Sequence, residues 1–355
     1  MKKLRVGVVF GGRSGEHEVS LRSAEFILRA LDREKYDVVP IAITKEGKWL
    51  VAPEPAQLAD PEDQIRHALE KGSSLGMLAE PTDAGGLDVV FPIVHGTFGE
   101  DGTLQGFLEL ADVAYVGAGV LGSAVGMDKD VMKRLLRDAG LPIVDYWRVL
   151  ASESDGFVRT FEESLPYPVF VKPANLGSSV GISKVTSREG LRPALTDAFQ
   201  YDRKAVVEQG IEAREIELSV LGNDDPVVSV PGEVRPARDF YDYQAKYADD
   251  DSELIIPAAL EKEQVREAQS MAVAAYKALE CSGMARVDLF LQDETGRFIV
   301  NEINTIPGFT AISQYPLLWE ASGMGSSRLI DRLIELAVER HEDRAKRKTS
   351  YVSGD

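Results

Sequence analysis

Arg286-Val287-Asp288-Leu289-Phe290-Leu291-Gln292 and Arg297-Phe298-Ile299-Val300-Asn301-Glu302-Ile303-Asn304 flank a short segment, Asp293-Glu294-Thr295-Gly296. Two apolar runs around a glycine-containing turn predict an antiparallel hairpin. A three-residue loop, Glu294-Thr295-Gly296, would put Gly296 where a left-handed residue is needed. In that register Asp288 faces Glu302 and Arg286 faces Asn304. Strand side chains alternate between faces, so Glu302 and Asn304 share one. Facing carboxylates destabilise a hairpin, and a cation between them reverses that sign. Asp, Glu and Asn oxygens are hard ligands suited to Mg²⁺ holding phosphates. Asp288, Glu302 and Asn304 are therefore candidate ligands for a metal nucleotide. A solvated acidic hairpin is the plainer reading, and a slip of one residue would turn Asp288 to the other face.

Composition limits what such a site could serve. The chain has 355 residues, 44% hydrophobic and 28% charged. That profile is globular, with material for two or three domains. The formal charge is −18, from 58 acidic and 40 basic residues. A polyanionic backbone would be repelled, so nucleic acid is not an expected partner. Four histidines and one cysteine exclude zinc clusters and disulfide frameworks. Cys281 reads as a small buried hydrophobe and fits a reducing compartment. The apolar run Leu4–Phe10 is too short for a secretory signal, and no run reaches the length of a membrane span. A cytoplasmic protein with no membrane partner is expected.

Leu4 to Phe10 reads as a buried strand that runs into glycines. A helix is predicted from about Val19 to Leu31, and further strands over Val38–Thr44 and Asp88–Val94. This order predicts an α/β fold whose first domain, 1–127, is parallel and nucleotide-fold-like. Asp128 suits the N-cap of a helix through Met132, Leu135 and Leu136, which Gly140 and Pro142 stop. A small middle domain, 128–218, carries Val169-Phe170-Val171-Lys172 and Ala205-Val206-Val207-Glu208. A last domain, 219–340, holds a loop-like stretch from Arg235 to Glu253, a helix from Glu261 to Glu280, the hairpin, and a helix from Leu329 to Arg340. Residues 341–355 are polar and are expected to form a mobile tail.

Several segments offer further chemistry. Pro173-Ala174-Asn175-Leu176-Gly177-Ser178-Ser179-Val180-Gly181 joins two predicted strands and lacks the Gly-Lys-Ser/Thr ending of a P-loop. A Gly-Ser-Ser loop on a hairpin can still fold over phosphates with its N–H groups and hydroxyls. Lys172, at a strand end, could then reach them as a point charge. An ordinary hairpin loop is the blander alternative. Gly11-Gly12-Arg13-Ser14-Gly15-Glu16 misses the Gly-x-Gly-x-x-Gly spacing, which weakens an oxidoreductase reading. Glu16 instead brings a carboxylate, suited to an ammonium group, to the crevice where such folds bind ligands. His95 follows a buried strand at a similar position, although a lone loop histidine is more often structural. Phe240–Tyr247 lies in a long aromatic-rich stretch, the composition of a lid or of a pinned surface loop.

Six of these pieces, in this order, resemble the ATP-grasp superfamily and within it the D-alanine–D-alanine ligase family. They are Gly-Gly-Arg-Ser-Gly-Glu-His-Glu-Val-Ser (11–20), His-Gly-Thr-Phe-Gly-Glu-Asp-Gly-Thr-Leu-Gln-Gly (95–106), Met-Asp-Lys (127–129), Val-Lys-Pro-Ala-Asn-Leu-Gly-Ser-Ser-Val-Gly (171–181), Phe-Tyr-Asp-Tyr-Gln-Ala-Lys-Tyr (240–247) and Asn-Glu-Ile-Asn-Thr-Ile-Pro-Gly-Phe-Thr (301–310). The resemblance implies a three-domain ATP-grasp fold, with two α+β domains clasping ATP behind the parallel one. It implies ATP-dependent joining of two D-alanines through an acylphosphate, for peptidoglycan synthesis. Glu16 would bind the first ammonium, in a group with Ser178 and Tyr247, and His95 would sit near that substrate's carboxylate. Lys129, Lys172 and Lys246, with Ser179, would hold ATP phosphates. Glu208, Gln209 and Ile211 would contact adenine through their backbone, and Glu215 would bind the ribose hydroxyls. Asp288 and Glu302 would hold one Mg²⁺, and Glu302 with Asn304 a second, with Mn²⁺ able to substitute. Arg286 and the Gly308 N–H would stabilise the acyl oxygen, and Ser313 would hold the second carboxylate. A homodimer is implied. Relatives that use D-lactate lack a tyrosine at the position of Tyr247, which favours D-alanine as acceptor. A non-catalytic nucleotide-binding regulator on the same fold is the alternative from another class.

Overall fold

The protein is described by a computed structural model over residues 2–51, 60–75, 86–177, 180–235 and 253–348. Among these residues three sheets carry the architecture. The first contains β1 (Leu4–Gly11), β2 (Tyr36–Ile43), β3 (Trp49–Val51), β4 (Ser73–Leu75), β5 (Val89–Pro92) and β6 (Ala114–Tyr115), in the order β4-β3-β2-β1-β5-β6. β2, β1, β5 and β6 are parallel, and β3 and β4 extend the edge antiparallel. Helices α1 (His17–Ala30), α2 (Pro61–Lys71), α3 (Thr103–Leu110) and α4 (Val120–Met127) follow in the same part of the chain. The unbroken apolar run of β1 is what a strand covered on both faces needs. Val6, Val8 and Phe10 join one core with Ile27 and Leu28 of α1, while Val9 joins another with Leu104 and Leu108 of α3.

The second sheet is antiparallel. It contains β7 (Tyr146–Leu150), β8 (Val169–Pro173), β9 (Ser183–Val185) and β10 (Lys204–Gln209), in the order β7-β10-β8-β9. Helix α5 (Lys129–Asp138) precedes it, and α6 (Ser154–Phe161) and α7 (Arg188–Ala198) cover it with Phe157, Val158, Leu191 and Leu195. The third sheet contains β11 (Ala213–Gly222), β12 (Val227–Val228), β13 (Gly232–Arg235), β14 (Glu253–Ile255), β15 (Gly283–Gln292) and β16 (Phe298–Asn304). Its order is β14-β13-β11-β15-β16, with β12 pairing β11. Helices α8 (Lys262–Ala278), α9 (Gln314–Ala321) and α10 (Ser326–Ala345) complete the fold. No helix among the described residues is long and apolar enough to cross a membrane.

The expected boundaries differ from the packing in four places. β11 runs through the expected division at 218/219, because its ten residues pair continuously with β15. α5, assigned by sequence order to the middle domain, buries Met132 and Leu136 in the core of the third sheet, with Ala268, Ala272 and Val287. α10, assigned to the last domain, packs Leu329, Ile330, Leu333 and Ile334 against Val6, Phe10 and Phe91 of the first sheet. An apolar stripe shows that a helix is buried, not which core it joins. α10 also continues to Ala345, so residues 341–345 are helix rather than tail. His341 Nε2 lies 3.1 Å from the Asp112 carbonyl oxygen, and Arg344 pairs with Glu109 and Asp112. Residues 349–355 lie outside the described residues, as do 236–252 of the expected loop from Arg235 to Glu253. The two ends of that loop pair antiparallel as β13 and β14.

The hairpin reaches its expected register by a different route. Asp288 pairs with Glu302 and Arg286 with Asn304, but nearer the turn Leu289 pairs with Val300 and Leu291 with Phe298. The Gln292 N–H donates to the Arg297 carbonyl at 3.0 Å, so the loop has four residues, 293–296, instead of three. Gly296 has a φ of +64°, as the turn requires. The extra loop residue shifts the pairing by one. A bulge between Asp288 and Leu289, with Asn301 as the additional residue, shifts it back. Bulges re-aim side chains beside functional sites, and counting outward from a turn cannot reveal them.

Candidate active site

A cavity of about 680 Å³ opens where the three sheets meet. The first sheet contributes Glu16, after β1, and His95, after β5. These strands are neighbours, and the chain leaves β1 for β2 on one side and β6 lies on the other. Ligands collect at such a switch point, outside the strand C-termini. Gly96 has a φ of +77°, and a Cβ there would stand 2.7 Å from Glu16 Oε2. A Cβ on Gly177 would be 3.4 Å from the same oxygen, so Gly177, at the base of the glycine-serine loop, lies against Glu16. Ser178 and Ser179 themselves, and Lys246 and Tyr247, fall outside the described residues.

His95 is buried. Its Nε2 is 3.0 Å from Ser23 Oγ, its Nδ1 is 3.1 Å from the Ile306 carbonyl oxygen, and Glu100 Oε1 lies 3.9 Å from Nδ1. Burial disfavours charge on the ring, but Glu100 and then Glu16 outweigh it and raise the pKa above the usual histidine value. The ring is thus suited to face an anion. Ser23 and Glu100 were not among the expected site residues. Glu100 sits in the quoted 95–106 motif, where its charge beside a histidine was a usable signal.

The second sheet and α5 bring three lysines together. Lys129 Nζ donates to the Leu176 carbonyl at 2.6 Å, and the Lys129 N–H to the Ala174 carbonyl at 2.9 Å, so the base of the loop is tied to α5. Asp128 caps α5 through the Val131 N–H at 3.0 Å and also accepts from Lys204 at 2.6 and 2.7 Å. Lys172 on β8 donates to Glu208 Oε2 on β10 at 2.7 Å. Lys133, which the sequence reading passed over, lies 3.3 Å from Glu208 Oε1, close enough for an ion pair but not aligned as a hydrogen bond. Burial would raise the Glu208 carboxyl, yet Lys133 and Lys172 bring it down to about 2. Burial works against the Lys172 cation, and Glu208, with Glu302 and Glu215, raises its pKa nonetheless. Glu208, Gln209 and Ile211 span the end of β10 and the connection to β11, where the Gly210 N–H donates to the Pro168 carbonyl at 2.8 Å. Glu215 lies on β11, opposite Phe290.

In the third sheet three carboxylates stand in a row across three strands. Glu217 of β11 pairs with Asp288 of β15, and Asp288 with Glu302 of β16. Arg286 serves two of them. Its Nε and Nη2 donate to the two Asp288 oxygens, each at 2.7 Å, and its Nε lies 2.9 Å from Glu217 Oε2. Burial opposes the guanidinium charge, but Asp288, Glu217 and Glu302 raise its pKa well above the usual value. Asn304 Nδ2 donates to Asp288 Oδ2 at 2.9 Å, which puts Asp288, Glu302, Asn304 and Arg286 on one face. Glu217 was missed in sequence because its facing partner depends on a pairing 71 residues away.

The donor set of the row suits a divalent cation. Among the described residues no three His, Cys, Asp or Glu side chains form a metal-holding group. Beside Asp288 and Glu302, Asn304 carries an amide oxygen that a half-turn of its side chain would present as a third donor. Beyond the hairpin, Gly308 and Ser313 also line the cavity. Ser313 Oγ accepts from the Thr310 N–H at 2.9 Å at the N-terminus of α9, a position that favours anions.

Comparison with known proteins gives this arrangement a context. Two family models match, described as D-ala D-ala ligase N-terminus over residues 5–118 and D-ala D-ala ligase C-terminus over 135–335. The D-alanine--D-alanine ligase of Solibacter usitatus is 52% identical over 350 residues, covering 99% of each chain. That of Bacillus licheniformis is 49% identical over 98% of this chain and 100% of its own. The solved structure of the D-alanine-D-alanine ligase from Coxiella burnetii superposes with a TM-score of 0.85 at 39% identity, covering 98% of this chain and 97% of that one. The VanG D-Ala:D-Ser ligase from Enterococcus faecalis has a TM-score of 0.85 at 35% identity, covering 95% and 100%.

Proposed function

The chain belongs to the D-alanine–D-alanine ligase family, and from that premise we infer that it joins two D-alanines to D-alanyl-D-alanine at the expense of ATP, for peptidoglycan synthesis. The observation that carries the reading is the convergence on one cavity of Glu16, His95, Lys129, Arg286, Glu302, Asn304, Gly308 and Ser313. In the reaction the carboxylate of the first D-alanine takes the terminal phosphoryl group of ATP, and ADP leaves. The amine of the second D-alanine attacks the acyl carbon, loses a proton, and phosphate departs. Several negative charges meet in this step, so it needs cations at both ends.

Glu16 binds the first ammonium, in a group with Ser178 and Tyr247, and His95 faces the adjoining carboxylate. Lys129 and Lys172, with Ser179 and Lys246, hold the phosphates. Glu208, Gln209 and Ile211 contact the adenine through their backbone, and Glu215 takes the ribose hydroxyls. Arg286 and the Gly308 N–H stabilise the charge that develops on the acyl oxygen. Ser313 holds the second carboxylate. Asp288 with Glu302, and Glu302 with Asn304, would hold two Mg²⁺ ions, for which Mn²⁺ can substitute. Such ions, when bound, neutralise the phosphate charge. The loop at Gly177–Gly181 and the 235–253 stretch shield the acylphosphate from water. We place the protein in the cytoplasm as a homodimer. For its domains we propose an N-terminal unit, a middle unit ending between β10 and β11, and a C-terminal unit whose last helix returns to the first.

Phosphate release measured with and without D-alanine and Mg²⁺ tests the reaction. Release that needs both is expected, and absence of turnover under all conditions would leave only nucleotide binding. Product analysis with D-alanine, D-serine and D-lactate as acceptors, at several pH values, tests the acceptor. The dipeptide D-alanyl-D-alanine should dominate at neutral pH. A depsipeptide as sole product would overturn that assignment.

A further inference from the structure

Lys133 is a buried charged residue that the reaction as described leaves without a task. It is 1% exposed, on a helix that also buries Lys129, Asp130, Met132 and Leu136. Lysine is almost never fully buried unless paired, and a well-packed apolar side chain is often at least as stable there. Its position is one helical turn after Lys129, so the two lysines share a face of α5. Among the described residues its Nζ has no aligned hydrogen-bond partner; it lies 3.3 Å from Glu208 Oε1, while Lys172 donates to the other oxygen at 2.7 Å. One carboxylate is thus divided between two lysines, one from α5 and one from β8. The ring of Tyr146 lies 6.0 Å from Lys133 Nζ.

We propose that Lys133 is a positioning residue for the nucleotide, acting through Glu208 to keep Lys172 available to the phosphates. This rests on the ATP-dependent reading above. Lys133 anchors one Glu208 oxygen and takes up part of its charge. Lys133, Lys172 and Glu208 together carry a formal surplus of one positive charge. With Lys133 gone, Lys172 and Glu208 form a neutral pair, and the pull on a polyphosphate falls.

The test uses the full chain and reads KM for ATP, KM for D-alanine, and ADP binding by calorimetry in the absence of D-alanine. Lys133→Met should raise KM for ATP and weaken ADP binding by roughly tenfold or more, with KM for D-alanine within about twofold. Lys133→Arg should recover most of the nucleotide affinity. Lys133→Gln, which carries no charge but can still donate to the freed Glu208 oxygen, should show the same loss of nucleotide affinity as Lys133→Met. A folded Lys133→Met with unchanged ADP affinity would overturn the proposal. So would an unchanged ADP affinity in Lys133→Gln, and this arm holds even if Lys133→Met does not fold. Normal ADP binding by the unchanged protein with no D-alanine-dependent turnover would count against the ligase reading and leave the Lys133 arms readable.

Discussion

In the middle sheet one carboxylate, Glu208, lies between two lysines. In the third sheet one guanidinium, Arg286, lies among three carboxylates, Glu217, Asp288 and Glu302. Both groups are largely buried, and both obey the rule that a buried charge needs a partner. They differ in which sign is left over. The lysine group keeps a positive surplus, suited to phosphates, and the acidic row keeps a negative one, suited to metal ions. Glu302 links them, since its charge also raises the pKa of Lys172 and opposes the lowering of Lys133. They also differ in origin. The lysine group draws on a helix and two strands, whereas the acidic row arises from the register of three adjacent strands.

Substitutions can break this contrast. Glu302→Gln keeps the shape of the row and removes one of its charges. Turnover is expected to fall about 10³-fold or more, with thermal stability nearly unchanged. Near-normal phosphate release in this variant would remove the case for a metal on the row. Arg286→Met leaves Asp288 and Glu217 without their cation. A loss of about 3–5 kcal/mol is expected from urea titration, and Arg286→Lys should recover only part of it, because an ammonium cannot bond both Asp288 oxygens as a fork does.

Acid titration probes the lysine group. The Glu208 carboxyl is held at about 2, below its ordinary value of 4.5. An unfolded chain therefore takes up this proton more readily than the folded one as pH falls. The stabilisation is fully present above about pH 4.5 and is lost as pH drops toward 2. Glu208→Gln should cost on the order of 1–3 kcal/mol at neutral pH, and the gap to the unchanged protein should close between pH 4.5 and 2. A gap that is independent of pH would show that Glu208 is not the charged partner of the two lysines. An exposed contact supplies the lower bound. His341→Ala removes the contact to Asp112 at the end of α10 and should change stability by about 0.5 kcal/mol or less. A loss as large as that from Arg286→Met would mean that burial is not what separates these cases.

The residues proposed to touch substrate were largely legible, because motifs concentrate at strand ends and in glycine loops. Glu16, His95, Lys129 and Lys172 each follow or close a short element whose period is plain. The supporting residues were not. Ser23 and Glu100 act on His95 from a helix and a loop, and Glu217 acts on Arg286 across a sheet. Lys133 was visible only as the lysine four positions after Lys129, which does not distinguish a buried charge from a solvated one.

Local pattern alone led to an α/β chain with a parallel first sheet, an acidic hairpin and the residue types for phosphate and metal, because periodicity and turn chemistry act over a few residues. Long-range packing settled the rest. It joined α10 to the first sheet and α5 to the third, set Glu217 beside Asp288, and divided Glu208 between two lysines. It also brought Asp288 opposite Glu302 through a four-residue loop and a compensating bulge, which turn chemistry by itself does not specify. Each of these depends on which buried face or charge meets which partner, and that is decided when distant segments desolvate one another.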